Sequence, residues 1–234
     1  MFQYILFDLD GTLTDPKMGI TRCVQYALST LGIDEPDLDK LEVFIGPPLQ
    51  DSFQEFYNLN VDQTNQAIAK YRERFQVKGI YENELICGVK EMLETLHHHG
   101  KQLAIASSKP TPFVERILDY FQIRSFFDCI VGSNLDGTRG SKEEVVKEAL
   151  RSLHLDQMAD IEKKQQIAMV GDRKFDIEGA KAYGLTAVGV SFGYALHKEL
   201  EEAGADVIVD TVEELTAFLT NKAIRRPSKS GGLQ

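Results

Sequence analysis

The sequence predicts an α/β fold, in which a doubly wound, Rossmann-like parallel sheet forms the core and an α-helical cap is inserted into it. Short apolar or β-branched runs alternate with amphipathic stretches through most of the chain, which favours a parallel sheet covered by helices. The first run, residues 2–7, is almost wholly apolar, as expected of a strand buried on both faces. Between about residues 15 and 84, helical periods occur without a convincing strand, which indicates an inserted helical subdomain.

The later elements follow in a regular order. Strands are predicted at residues 103–106, 129–131, 167–170, 186–190 and 207–209. Helices are predicted at residues 89–98, 112–121, 142–153, 176–183 and 212–219, and helical periods inside the insertion at 20–31, 49–57 and 64–76. We therefore expect residues 1–14 and 85–224 to form the core and residues 15–84 to form the cap. The tail, residues 225–234, has little to bury, so we expect it to be disordered or loosely packed.

The tripeptide Gly46-Pro47-Pro48 interrupts the insertion. Two consecutive prolines forbid a continuous helix and mark a bend before the helix predicted from residue 49. Two interpretations are open at this point: a plain turn between helices, or a loop that faces an active site.

The charge balance excludes one class of partner. Acidic residues outnumber basic ones 36 to 26, and the formal net charge of -10 would repel a nucleic-acid polymer. A small phosphorylated metabolite remains compatible with this charge, because lysines and helix N-termini can bind a phosphate locally. The sequence does not predict an oligomeric state.

Cysteine and histidine do not suggest a metal site. Cys23, Cys87 and Cys129 lack paired short spacing, so we expect buried thiols in a reducing compartment. His97, His98 and His99 are adjacent, and neighbouring helical residues point in different directions, which favours a solvated helix end. The apolar start is short and lacks a basic leader, and no run is long enough to span a bilayer. We therefore expect a cytoplasmic protein without a membrane partner.

Asp8 and Asp10 come directly after the first apolar run, and Gly11 follows them. The carboxyl ends of parallel strands are where open α/β sheets bind ligands. Two carboxylates held close repel each other, which favours a bound metal ion or a raised pKa. The alternative is an ordinary Asp-Gly turn.

Two further groups of candidate residues follow predicted strands or begin helices. Ser107 and Ser108 end the run at 103–106 and precede a helix start, an arrangement that suits a phosphate but also an ordinary serine N-cap. Lys142 begins a helix, where the macrodipole disfavours a cation. It is therefore either held by something negative or a plain surface lysine.

Asp172 follows the run at 167–170 and a glycine, and Asp176 comes four residues later. Asp172 at a strand end can reach a cation bound by Asp8 on a neighbouring strand. Asp176 in the following helix can support the same cation. Helix capping by Asp172 is the alternative, although it does not explain why acids recur at separate strand ends.

Together these residues resemble, in identity and order, the haloacid dehalogenase superfamily of phosphohydrolases. The first motif matches in full as Asp8-Leu9-Asp10-Gly11-Thr12-Leu13-Thr14-Asp15, and the fourth matches as Gly171-Asp172 with Asp176. The second has Ser107-Ser108 where many members have Thr-Asn, and the third rests on Lys142 without the proline that often follows it. Residues 44–49 and 171–176 resemble the phosphoglycolate-phosphatase and 5'-nucleotidase-like branch.

The resemblance implies a phosphoric monoester hydrolase in which Asp8 forms an aspartyl-phosphate that water hydrolyses. It implies Mg²⁺ held by Asp8, Asp172 and the backbone carbonyl of Asp10, with Asp176 supporting it. Asp10 is expected to be the general acid and base. Phosphate contacts are expected from Lys142, Ser107, Ser108, Gly11 and Thr12.

Other activities on this scaffold remain open from the sequence. A phospho-accepting signalling domain would need no cap, a phosphoglucomutase-like phosphotransferase could share the nucleophile, and a binding protein would lack some of the acids. The motifs leave the substrate open among phosphoglycolate, nucleoside monophosphates and sugar phosphates.

Overall fold

The computed structural model describes residues 2–221. In chain order its helices and strands are β1 (Tyr4–Phe7), β2 (Thr14–Asp15), α1 (Lys17–Thr30), α2 (Leu49–Tyr57), α3 (Val61–Phe75), β3 (Glu84–Leu85), α4 (Val89–His98), β4 (Gln102–Pro110), α5 (Thr111–Tyr120), β5 (Cys129–Ser133), α6 (Lys142–Ser152), α7 (Asp160–Gln166), β6 (Ile167–Gly171), α8 (Lys174–Ala182), β7 (Thr186–Val190), α9 (Glu199–Ala203), β8 (Val207–Val209) and α10 (Val212–Thr220). Short 3-10 helices lie at Asp39–Phe44, Gly79–Tyr81 and Arg124–Phe126.

Six strands form a parallel sheet in the order β5-β4-β1-β6-β7-β8. The chain moves outward from β1 to β5 and then returns to place β6 on the other side of β1. The strand order therefore reverses between β1 and β6, and the crevice beyond the carboxyl ends of such a pair is the usual ligand site of an open α/β sheet. The predicted doubly wound parallel sheet is confirmed.

The first strand is buried on both faces, as its apolar run predicts. Ile5 and Phe7 pack into a large core cluster that also contains the insertion, α4, α5 and α10. Leu6 points to the opposite face and packs with residues of α6 and α8. This alternation follows from the two-residue period of a strand. The first charged side chain after β1 is Asp8, directly beyond its carboxyl end.

The helical insertion, α1 to α3, begins and ends at a two-stranded antiparallel ladder of β2 and β3. Thr14 pairs with Leu85, and Asp15 pairs with Glu84. These two strands were not predicted from the sequence, because two residues are too few to produce a periodic pattern. The ladder joins the entry and exit of the insertion beside the core.

Several element boundaries agree with the prediction, including residues 49–57, 89–98, 186–190 and 207–209. The helix predicted at 64–76 begins earlier, at Val61, because Asn60 and Gln63 form a reciprocal capping box. The short helices α7 and α9 were not predicted. The predicted tail, residues 225–234, and residues 222–224 of the predicted core lie outside the described residues.

The cysteine prediction is partly wrong. Cys23 is buried and Cys129 half-buried, but Cys87 is exposed because it lies in the turn between β3 and α4. His97 and His98 end α4 and are exposed. Across residues 2–221, no helix has the length and apolar character needed to cross a membrane.

Candidate active site

Three carboxylates meet where the strand order reverses. Asp8 follows β1, Asp172 follows β6, and Asp176 lies in the first turn of α8. Each offers an oxygen within 4.8 Å of the oxygens of the other two, and all three side chains are buried. The two strand ends and the helix start predicted from separate motifs therefore converge on one point.

Local geometry holds Asp172 and Asp176 in place. A β-carbon at Gly171 would lie 2.1 Å from Cγ of Asp176, so only glycine allows the carboxylate to pack against this strand end. Asp176 Oδ2 accepts a hydrogen bond from the backbone N–H of Arg173 at 3.0 Å. Because Arg173, not Asp172, precedes α8, the capping alternative for Asp172 is wrong.

Lys142 lies inside the acid cluster. Its Nζ is 2.8 Å from Oδ1 of Asp8 and 2.8 Å from Oδ1 of Asp176, and it donates to the carbonyl of Ala106 at 3.0 Å. The side chain is 4% exposed, so the surface-lysine interpretation is wrong. Two carboxylates outweigh the unfavourable position at the start of α6.

Burial and mutual repulsion shape the protonation of the cluster. Burial raises the pKa of Asp172 well above its usual range, and the charges of Asp176 and Asp8 raise it further. Burial also raises the pKa of Asp176, to about 6, against the opposing charge of Lys142. Burial lowers the pKa of Lys142, but the charges of Asp176 and Asp8 outweigh it and the pKa rises. One ammonium thus faces three buried acids, an arrangement that favours an additional cation.

Asp10 lies apart from this cluster. Its Oδ2 is 2.7 Å from Nζ of Lys109, whose ammonium also lies 4.7 Å from the ring centroid of Phe75 in α3. Burial raises the pKa of Asp10, while the charge of Lys109 lowers it. Oδ1 of Asp10 is buried and has no hydrogen-bond partner among the described residues. The structure thus gives Asp8 and Asp10 different environments.

Lys109 was not identified from the sequence as a site residue. It follows Ser107 and Ser108 directly, but a lysine on a strand carries no signal for its partner, which is about a hundred residues away. Its position at the carboxyl end of β4, beside β1, is the only feature that could have indicated it.

Four of the predicted phosphate-binding residues follow β1 or lie in the last part of β4, at the same edge of the sheet as the acids. Ser107 is buried, and its Oγ accepts from the N–H of Lys109 at 3.3 Å, while Pro110 precedes α5, so the serine N-cap alternative is wrong. Ser108 lines the adjoining cavity. The N–H groups of Gly11 and Thr12 are used inside their own turn, where they donate to Thr14 O at 2.7 Å and Leu9 O at 3.3 Å.

A segment between β7 and α9 covers Asp172, a contact that was not predicted from the sequence. The backbone N–H of Tyr194 donates to Asp172 Oδ2 at 2.7 Å, and Thr12 Oγ1 lies 3.5 Å from Oδ1. The hydroxyl of Tyr194 donates to Asp15 of β2. A β-carbon at Gly193 would lie 2.3 Å from Cβ of Asp172, so the segment approaches closely because it has glycine there.

A cavity of about 420 Å³ opens between the core and the insertion. Asp10 and Lys109 lie at its core wall, and its other walls include the aromatic residues Phe44, Tyr71, Phe75 and Phe113. Gly46, Pro47 and Pro48 also line it, so of the two interpretations of this tripeptide the loop facing the candidate site is confirmed. Asp10 is the member of the acid pair that reaches the cavity.

Comparison with known proteins agrees with this geometry. Residues 5–190 match the family model described as haloacid dehalogenase-like hydrolase. A 5'-nucleotidase from Pseudomonas aeruginosa is 46% identical over 199 residues, which is 85% of this chain and 87% of that protein. A protein named tyrosine-protein kinase PtkA, from Mycobacterium tuberculosis, is 34% identical over 219 residues, covering 93% of this chain and 72% of that protein.

A solved structure gives the same result for the whole fold. The crystal structure of a predicted phosphatase from Clostridium acetobutylicum superposes with a TM-score of 0.89 at 41% identity, covering 94% of this chain and 99% of that one. The matched family model spans both strand ends that carry the acids and the insertion between them. The chain belongs to the haloacid dehalogenase-like hydrolase family.

Proposed function

We propose that this hydrolase is a Mg²⁺-dependent phosphatase that cleaves small phosphomonoesters through an aspartyl-phosphate on Asp8. The observation that carries the proposal is the position of Asp8, which contacts Lys142 and lies with Asp172 and Asp176 where the strand order reverses. The Asp8 carboxylate and a phosphate ester are both anions and repel each other. A cation held by the acid cluster would reduce this repulsion and let the carboxylate reach the phosphorus.

The cluster fits a magnesium ion by the chemistry of its donors. Mg²⁺ prefers oxygen ligands, and Asp8, Asp172 and Asp176 supply buried carboxylate oxygens within 4.8 Å of one another. Asp8 and Asp172 would hold the ion, with the backbone carbonyl of Asp10, and Asp176 would support it through its contact with Lys142. A bound Mg²⁺ would supply charge neutralisation for the transferring phosphoryl group.

The first displacement starts at Asp8. One carboxylate oxygen attacks phosphorus, the bond from phosphorus to the ester oxygen breaks, and Asp10 gives its proton to that leaving oxygen. Lys142 and the hydroxyl of Ser107 hold the phosphoryl oxygens. The amides of Gly11 and Thr12 serve the turn that positions Asp10, so we assign the phosphate contacts to Lys142 and Ser107, with Ser108 facing the leaving group from the cavity wall.

The second displacement returns the enzyme to its starting state. Asp10 takes a proton from water, the water oxygen attacks phosphorus, and the bond from phosphorus to Asp8 breaks. Burial favours the protonated form of Asp10 that the first step needs, whereas Lys109 favours the charged form that the second step needs. Asp10 lines the cavity and lies two residues after Asp8 in the chain, a position that suits both steps.

The cavity supports a nucleoside 5'-monophosphate as the substrate rather than phosphoglycolate. At about 420 Å³ it falls in the range of pockets that bury ligands larger than a two-carbon acid. Phe44, Tyr71 and Phe75 form part of its wall, so the cavity has an apolar side as well as the charged end at Asp10 and Lys109, which suits a ligand with an apolar part and an anionic part. The 46% identical relative named 5'-nucleotidase supports the same choice.

We further propose that residues 15–84 act as a cap that closes over the substrate about the β2–β3 ladder. A closed cap would exclude bulk water while the phosphoryl group is transferred. It would also distinguish a hydrolase from a signalling acceptor, which needs no cover.

A phosphate-release panel tests the proposed function. The protein is mixed with Mg²⁺ and adenosine 5'-monophosphate, other nucleoside monophosphates, phosphoglycolate or glucose 6-phosphate. We expect multiple-turnover phosphate release, fastest from the nucleotides. Transfer of the phosphoryl group to a second acceptor, or a single labelling event without release, would contradict hydrolysis and support a transferase or a signalling acceptor.

A further inference from the structure

Arg173 connects the end of β6 to the helical insertion. It directly follows Asp172, and its Nη1 donates a hydrogen bond of 2.5 Å to the backbone carbonyl of Ile45. The arginine side chain is 8% exposed, and its partner Ile45 lies in the insertion, far from Arg173 in the sequence. A buried charged donor on a backbone carbonyl is a strong hydrogen bond, because little water competes for either group.

Glu199 fixes the other end of the guanidinium. Its Oε1 accepts from Arg173 Nε at 2.9 Å and from the backbone N–H of Lys174 at 2.8 Å, and its Oε2 accepts from the N–H of Leu196 at 2.9 Å. The carboxylate is thus held by two backbone groups of the core as well as by the arginine. With Nε fixed on the core, the planar guanidinium directs Nη1 at Ile45.

The insertion is shaped to receive this side chain. A β-carbon at Gly46 would lie 2.9 Å from Cγ of Arg173, and Gly46 has a φ of +105°, which favours glycine. The next two residues are Pro47 and Pro48, which limit the backbone and line the cavity. An anchor at Ile45 therefore controls where this short, stiff loop lies.

We propose that Arg173 is a positioning residue that fixes the loop of residues 45–48 over the cavity, from the same strand end that carries Asp172. The backbone N–H of Arg173 donates to Asp176 in the acid cluster, and its side chain donates to the loop that lines the cavity. The placement of this cavity-lining loop is thereby tied to the placement of Asp172. Only the identity of the cavity's occupant rests on the proposed phosphatase function.

Hydrogen–deuterium exchange tests the proposal without any assay of activity. Arg173→Met keeps the aliphatic contact with Gly46 but removes the donor. We expect exchange in peptides covering residues 43–50 to accelerate by about tenfold or more, as for loss of a charged hydrogen bond, while β1 and β4 exchange as in the wild type.

Arg116→Met is the control, with an exposed hydrogen bond in place of a buried one. Arg116 also lies in the core, in α5, and donates to a backbone carbonyl of the insertion, Gln76 O, at 2.8 Å. Gln76 does not line the cavity. Loss of the Arg116 side chain should therefore leave exchange at residues 43–50 unchanged. Wild-type exchange there in Arg173→Met, or equal acceleration in both variants, overturns the proposal.

Gly46→Ala provides a second variant if Arg173→Met does not fold. It disturbs the same contact from the insertion and leaves the core sequence intact. We expect faster exchange on both sides of the loop, at residues 43–46 and 49–50. Unchanged exchange would show that the contact does not hold the loop.

A kinetic readout then separates positioning from a general structural role. Arg173→Met should raise KM for adenosine 5'-monophosphate by roughly tenfold, with a smaller change in kcat, and Arg173→Lys should recover part of the loss. Equal losses in kcat and kcat/KM would contradict positioning of the loop. If no phosphate ester is hydrolysed at all, the proposed function fails, and the exchange experiment still decides the role of Arg173.

Discussion

The ammonium of Lys142 lies 2.8 Å from a carboxylate oxygen of Asp8, and both side chains are almost completely buried. The same ammonium contacts Asp176 at an equal distance, so one cation holds two acids that would otherwise repel each other. Asp172 adds a third acid, with its closest hydrogen bond from the backbone of Tyr194. The site is therefore short of positive charge.

Loss of Lys142 should destabilise the fold as well as the activity. Lys142→Met leaves Asp8 and Asp176 without their common partner, and breaking a buried ion pair in this way costs about 3–5 kcal/mol. We expect a loss of this size in the free energy of unfolding measured with denaturant. Lys147→Met is the control, because Lys147 lies exposed on the same helix. Equal stability of the two variants would contradict the structural role of Lys142.

Removal of Asp10 should affect substrates according to their leaving groups. Asp10→Asn cannot donate a proton, so the rate for an alkyl phosphate such as adenosine 5'-monophosphate should fall by about a hundred- to ten-thousand-fold. An aryl phosphate with an acidic phenol as its leaving group needs no proton, and the rate of its first displacement should fall much less. The comparison uses the burst phase, which reports the first displacement alone. The steady-state rate would also contain the second displacement, in which Asp10 activates water. An identical fall in burst rate for both substrates would remove Asp10 as the general acid.

The metal-free protein should lose stability as the pH rises through about 6. The folded pKa of Asp176, about 6, lies above its ordinary value of 3.8, so between these values the folded state holds more protons than the unfolded state. The stability linked to this group is thus present below about 3.8 and lost as pH rises through about 6. Asp172, whose pKa is also raised, acts in the same direction.

Magnesium should reverse this loss. Protons and Mg²⁺ compete for the same carboxylates, so the rise in Tm on adding Mg²⁺ to chelator-treated protein should be larger at pH 8 than at pH 5. Asp172→Asn should abolish most of the rise at pH 8. A Tm that ignores Mg²⁺ at both pH values, together with full activity in EDTA, would contradict the metal assignment.

The features that could be predicted from the sequence are those that depend only on neighbouring residues in the chain. Residues 2–7 are apolar enough to identify a buried strand, and the acids after residues 7 and 171 stand at strand ends where a parallel sheet gathers them. Lys142 could be singled out because a lysine at a helix start is unusual. The family resemblance then joined motifs that the residues alone left separate.

The contacts that were missed depend on tertiary structure. Lys109 meets Asp10, and Arg173 meets Ile45, only because the sheet order and the insertion bring distant segments together. Tyr194 reaches Asp172 from a loop whose sequence carries no ligand pattern. The β2–β3 ladder has two residues in each strand, which is below the length at which periodicity can be recognised.

A phosphoryl group on Asp8 is the intermediate that defines the proposed mechanism, and its detection is decisive. The Asp10→Asn variant, in which hydrolysis of the intermediate should be slow, is mixed with Mg²⁺ and an aryl phosphate, quenched in acid and digested for mass spectrometry. We predict that the peptide containing Asp8 gains the mass of one phosphoryl group, and that the Asp8→Asn, Asp10→Asn double variant gains none. Burst release of the phenol with that peptide unmodified, or with the label on another residue, would contradict Asp8 as the nucleophile.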